Sequence, residues 1–240
     1  MAKKLGSKII VSFHDYYAVC PTVKLIDESN NYCNGKCTSS KGDCDNPLWD
    51  GAGLPNLKNR SVYTWRKMFA DAVSVADFFV TTSISARETI LSTLSNIDER
   101  RFRIIKHGRD FLDGFGSVNN VCLGDKIKVL IPGNIDIAKG KYVVDELLKN
   151  HNFEFHVLGT FKGNINSYKG KNIHFHGSYK RDEFIKKVKS IKPDIGAVFS
   201  IWDETWCHTL TEMWASGLPV LAYNFPNVKS RKEEYYAEML

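Results

Sequence analysis

Two glutamates, Glu204 and Glu212, stand eight positions apart in the stretch SIWDETWCHTLTEMWASGLPVLAYN, residues 200–224. Leu210, Met213 and Trp214 recur at helical spacing behind them. Gly217 then accepts a left-handed cap, and Pro219 cannot continue the turn, so a helix ends there. Residues 219–223 (PVLAY) read as a short apolar strand without alternation, which predicts a parallel sheet covered on both faces. Loop, helix start and strand in that order bring two carboxylates and a set of backbone N–H groups to one end of a sheet. Carboxylates accept hydrogen bonds from hydroxyls, and a helix N-terminus receives phosphate oxygens. A sugar joined to a phosphate carries both.

A second cluster is thiol chemistry. Cys20, Cys33, Cys37 and Cys44 follow the spacing C-x12-C-x3-C-x6-C, with Gly35 and Gly42 for tight turns. Four thiolates would suit a tetrahedral structural zinc, which would also order a loop of this length. The usual C-x2-C knuckles are absent, so reduced thiols and disulfides stay open as alternatives. Cys122 and Cys207 read as lone packing residues, and His156, His174, His176 and His208 show no metal-ligand spacing.

The elements that must hold these groups alternate between strand and helix. Residues 8–14 (KIIVSFH) form a β-branched strand ending at His14 and Asp15, and residues 16–59 a long loop. From Ser61 a helix is expected with Trp65, Met68, Phe69, Ala72, Val75 and Ala76 on its buried face. A strand over 77–83 and a helix capped by Ser85, with Glu88 completing a capping box, come next. A strand at 102–108 closes this half, and the Gly- and Asn-rich residues 113–125 look like a linker. The second half gives strands at 127–131, 153–159, 173–177 and 195–199, with helices at 140–148 and 181–191. Such alternation implies right-handed, doubly wound parallel sheets in two domains, 1–115 and 116–240. Ligands in these sheets bind beyond the carboxyl ends of the strands, so the loops after 133, 159, 177 and 200 are candidate site walls.

Composition narrows the function classes. Of 240 residues 43% are hydrophobic and 25% charged, as in ordinary globular proteins. No apolar run nears the ~20 residues of a membrane span, and the first strand has no signal-peptide core before it, which points to the cytoplasm. Lysine and arginine exceed aspartate and glutamate by 33 − 27 = 6. That excess fits an anionic substrate such as a nucleotide sugar, or peripheral attraction to the anionic inner face of a membrane. Nucleic acid is disfavoured, since no dense basic run interleaves with aromatics. A dinucleotide-dependent oxidoreductase is disfavoured because no G-x-G-x-x-G follows a strand.

Taken together these residues resemble the retaining GT-B glycosyltransferases, in particular the large family 4 type (glycosyl transferases group 1). Glu204 and Glu212 match that family's E-x7-E motif and the ending ASGLPVLA that follows it. Residues 131–140 (IPGNIDIAKG) look like its first C-terminal strand and phosphate loop; residues 76–83 (ADFFVTTS) and 104–110 (IIKHGRD) resemble the last strands of its N-terminal domain. His14 is similar to the histidine at its interdomain cleft. The resemblance runs over residues 8–224. It implies a GT-B fold of two Rossmann-like domains facing across a cleft. The implied reaction is transfer of a sugar from a nucleotide-sugar donor to a glycan or lipid-linked acceptor with retention, in cell-surface polysaccharide synthesis. It also implies roles: His14 and Glu204 at the donor sugar, Glu212 at the ribose, and Gly133, Asn134, Lys139, Thr205, Trp206, Thr209 and Leu210 around the diphosphate. No cofactor is needed for such transfer when lysines and helix dipoles carry the charge.

Three departures stand out. Asn134 replaces an arginine that accompanies the phosphate lysine in many relatives, so a cation must come from elsewhere, with Arg109 a candidate. Thr205-Trp206-Cys207 is bulkier than the small link usual after the first glutamate. Both domains look incomplete, which suggests a fragment or split gene product. The alternative to an enzyme is therefore a catalytically incompetent nucleotide-sugar or partner-binding module. The charged stretch 229–240 is expected to be helical.

Overall fold

A computed structural model describes residues 2–27, 29–36, 62–108 and 124–237. They divide into two compact units. Unit 1 holds the described residues up to Gly108, Trp202–Trp206 and the residues from Phe225 onward; unit 2 holds those from 124 to Ile201 with Cys207–Asn224. The cysteine call at Cys37 and Cys44, the cation call at Arg109 and most of the linker at 113–125 lie outside the described residues.

In unit 1, β1 (Ile10–Ser12), β2 (Phe78–Thr81) and β3 (Phe102–Ile104) form a parallel sheet in the order β1-β2-β3. Its apolar face is aromatic. Phe79 and Phe102 are register partners with ring centroids 5.3 Å apart, and Phe13 stacks within 6.1 Å of both. Helix α1 (Val62–Val73) buries Val62, Trp65, Arg66 and Ala70, whereas Met68, Ala72 and Val75 are exposed, contrary to the expected face. The reason is polar. Arg66 donates from Nε to the Val19 carbonyl at 2.9 Å and from Nη2 to Gly35 at 2.9 Å, and the Trp65 indole donates to Tyr17 at 2.7 Å. Those bonds roll the helix toward the segment 16–36, whose Tyr16, Val19 and Leu25 are fully buried. The loop is thus part of the core.

Helix α2 (Ile84–Thr93) is capped by Ser83, whose hydroxyl accepts from Ala86 N at 3.2 Å. The expected cap, Ser85, lies inside the helix with its hydroxyl 3.3 Å from that of Ser83. Ser83 wins because its extended backbone suits a cap, and Glu88 is then too far along to close a capping box.

Unit 2 contains β4 (Ile127–Ile135), β5 (Phe153–Phe161), β6 (Ile173–Phe175), β7 (Ile195–Val198) and β8 (Val220–Ala222), all parallel, in the order β6-β5-β4-β7-β8. The helices are α3 (Lys141–Leu147), α4 (Phe184–Ile191) and α5 (His208–Ala215). This is the doubly wound order: the chain leaves β4 toward β5 and β6, then returns to β7 and β8 on its other side. One face carries Val129, Ile131, Phe155, Val157 and Ile173 with Val144 and Leu148 of the helical layer. On the other, Leu130, Leu158, Val188, Leu210 and Met213 are buried. Coverage on both faces fails at β8. It is an edge strand, and its Leu221 is 56% exposed. Gly217 does adopt the left-handed conformation, with φ 73°, at the end of α5.

The charged tail forms α6 (Pro226–Ala237), which belongs to unit 1 and pairs Glu234 with Lys106 at 2.8 Å. Replacing Arg66 by Met should lower stability by about 3 kcal/mol, since two buried carbonyls lose charged donors. Denaturant unfolding of the two proteins measures this; a loss below about 1 kcal/mol would show that the fork does not hold the loop.

Candidate functional site

A cavity of about 320 Å³ opens at the carboxyl ends of the unit 2 strands. Gly133 and Asn134 enter from the end of β4, Gly159 from β5, Ser178, Tyr179 and Arg181 from the residues after β6, and Glu212 from α5. β4 and β5 stay in register past their apolar runs, through Gly133↔Gly159 and Asn134↔Thr160 to Ile135↔Phe161. The loops expected after 133 and 159 therefore begin two residues later. Gly159 is required there. Its φ is 138°, and a Cβ would lie 2.1 Å from the Gly133 carbonyl oxygen. On the other side a side chain at Gly133 would approach Thr209 Cγ2, 3.4 Å from the Cβ position. Bare backbone forms this wall of the cavity.

The polar groups are few and placed. Glu212 is 5% exposed, and its Oε2 accepts from the Tyr179 hydroxyl at 2.9 Å. The Tyr179 ring leans on Phe184, the first residue of α4, at a centroid distance of 5.2 Å. Asn134 Oδ1 accepts from the Thr160 hydroxyl at 2.8 Å. Arg181 supplies a guanidinium to the lining. A buried carboxylate, a phenol, an amide and one cation around exposed backbone suit a ligand with hydroxyls at one end and an anion at the other.

Of the residues expected from sequence, Gly133, Asn134 and Glu212 meet at this cavity, with Thr209 beside Gly133. Leu210 is 1% exposed and serves the core. Lys139 lies in the turn after β4, where its backbone N–H donates to Asp136 Oδ1 at 3.0 Å, and it does not line the cavity. The sequence singled out none of Gly159, Ser178, Tyr179 and Arg181, although the loop after 159 was an expected wall. It flagged the loop after 177 as a wall but had no signal for Tyr179 and Arg181, whose roles depend on where β6 ends.

The remaining candidates belong to unit 1. Thr205 donates its hydroxyl to the His14 carbonyl and accepts on its own carbonyl from the Thr82 hydroxyl at 2.7 Å. Asn227 donates from Nδ2 to the Glu204 carbonyl at 2.7 Å and from its backbone N to Asp203 Oδ1 at 3.0 Å. Glu204 is 8% exposed. The His14 ring is exposed and stacks on His107 at 5.5 Å; His107 meets the edge of Trp206, and the Arg231 guanidinium lies 3.9 Å over the Trp206 ring. Glu204 and Glu212 thus sit in different units. Cys20 Sγ is 3.2 Å from the Thr22 hydroxyl, and Cys33 Sγ donates to the Leu25 carbonyl at 3.1 Å.

No protein-family profile and no curated protein matches the chain. Solved structures do. HepE (Alr3699) of Anabaena, in complex with UDP and glucose, superposes with a TM-score of 0.58 at 11% identity, over 95% of this chain and 56% of that one. The fold is that of the GT-B glycosyltransferases. The catalytic domain of starch synthase IV from Arabidopsis thaliana, bound to ADP and acarbose, gives 0.51 at 15% identity over 95% and 59%. The GtfA/B complex gives 0.51 at 14% over 90% and 38%. The chain spans between 38% and 59% of the length of these three neighbours. No described helix is long and apolar enough to cross a membrane.

The segment beside Glu204 makes a pH prediction. Burial pushes the Asp203 carboxyl above its ordinary range, and the charge of Glu204 adds to that. A raised folded pKa gives stability that is present at low pH and lost as pH rises through it. Asp203→Asn keeps an acceptor for Asn227 and removes the buried charge. It should match the parent near about pH 4 and be more stable near about pH 8. Denaturant midpoints across that range test it, and a gap that instead widens on acidification would contradict the assignment.

Proposed function

We propose that this chain binds a nucleotide-sugar donor in the unit 2 cavity and serves glycosyl transfer. The observation that carries the reading is the Glu212–Tyr179 pair beside Arg181 and the glycine-lined ends of β4 and β5. In this reading Glu212 accepts from the ribose hydroxyls, as a carboxylate does at the switch point of other doubly wound sheets. Arg181 and the strand-end backbone take the diphosphate; Arg181 then fills the place left by Asn134. The neighbours support the class of ligand: HepE was solved with UDP-glucose and the starch synthase with ADP and acarbose.

Transfer breaks the bond between the anomeric carbon and the diphosphate oxygen and forms one to an acceptor hydroxyl, which gives up its proton. Charge develops on the leaving diphosphate, and fixed donors at that point lower the barrier. In the same proposal Glu204 and His14 serve the donor sugar, the acceptor is a glycan or lipid-linked, transfer proceeds with retention, and the product belongs to cell-surface polysaccharide synthesis. The second reading is a binding module without turnover, for which the unit 2 cavity alone suffices.

Two measurements test the proposal. Glu212→Ala should weaken nucleotide binding by roughly 10- to 100-fold, about 1.4–2.8 kcal/mol, read by calorimetry. Equal affinity in variant and parent would refute the ribose role. Incubation with UDP-, ADP-, GDP- and dTDP-sugars and an acceptor panel should release nucleotide; binding without release would favour the module.

A further inference from the structure

Glu154, His156, His174 and His176 project from one face of the β5–β6 edge of unit 2. The register decides this: His156 pairs with His174, Glu154 lies two residues before His156 on β5, and His176 follows the last residue of β6, two after His174. Phe155, Val157, Ile173 and Phe175 take the other face and build the core. Four polar side chains on a half-buried sheet face cost desolvation unless something satisfies them together.

Their atoms converge. Glu154 Oε1 is 3.1 Å from His156 Nε2 and 3.2 Å from His174 Nε2, and all three atoms lie within 4.8 Å of one another. A tetrahedral zinc with ligands at about 2.0–2.2 Å separates neighbouring ligand atoms by about 3.3–3.6 Å, close to the two separations from Glu154 Oε1. The outer shell is present as well. His156 Nδ1 lies 3.0 Å from His176 Nε2, which can accept the proton that fixes the ligating tautomer. The His156 side chain is 9% exposed and that of His174 53%, which leaves an entry path and an open fourth position for water.

We propose that Glu154, His156 and His174 form a divalent transition-metal site, with zinc as the fitting ion and His176 orienting His156. The ion would staple the three-residue edge strand β6 to β5. It would thereby stiffen the turn that carries Ser178, Tyr179 and Arg181 into the cavity. The metal site stands on its own geometry; only that consequence rests on the donor-site reading.

The test is zinc binding to the metal-stripped full chain, followed by calorimetry and by elemental analysis after desalting. The parent should bind one equivalent that both His174→Ala and Glu154→Gln lack, while Cys33→Ser retains it. His176→Ala should keep the equivalent and weaken it by about 10–100-fold. Cobalt in place of zinc should show ligand-field absorption from this site without a thiolate charge-transfer band in Cys33→Ser. His174 is half-exposed, so its loss spares the core, and circular dichroism of the variant verifies the fold. Unchanged stoichiometry and affinity in His174→Ala, or no zinc in Cys33→Ser, would overturn the site whether or not nucleotide binds.

Discussion

The structure of unit 2 depends on one close approach, that of the Gly159 backbone to the Gly133 carbonyl oxygen. Any β-carbon at 159 would collide with it. Because neither position has a side chain, β4 and β5 stay paired two residues beyond their apolar runs and end together. That shared end is the wall against which Tyr179, Arg181 and Glu212 are placed. The cavity has a backbone wall because Gly133 and Gly159, two residues before the strands end, carry no side chains, and few polar side chains line the rest.

Much of this was legible in the sequence. Strand–helix alternation gave the parallel sheets, and the acidic pair with its glycine–proline stop gave α5 and β8. Gly133, Asn134 and Glu212 were expected at a ligand site and do line one cavity. What failed failed for tertiary reasons. Helix α1 shows a plausible apolar stripe through Met68 and Val75, but the Arg66 fork and the Trp65 indole hold the helix to buried carbonyls, and those partners lie in a loop with no periodicity. The α2 cap moved by two residues because serines at 83 and 85 both qualify locally. Tyr179 and Arg181 carry no motif; only the end of β6 and the packing of Tyr179 on Phe184 bring them to the cavity.

The histidines show a different limit. In sequence His156, His174 and His176 have no ligand spacing, since strands from separate βα units supply them. Parallel register puts His156 beside His174, and the two-residue period adds Glu154 and His176 on the same face. Cys20 and Cys33, by contrast, are two of four thiols with legible spacing, and Cys37 and Cys44 lie outside the described residues.

The central claim is that the carboxyl ends of β4, β5 and β6 hold a nucleotide sugar. Titration of the isotopically labelled chain with UDP-glucose, followed by amide resonances, addresses it most directly. The account predicts saturable shifts at Gly133, Gly159, Ser178 and Tyr179. Shifts absent from those amides at saturating nucleotide sugar, or confined to β1, β2 and β3, would contradict it.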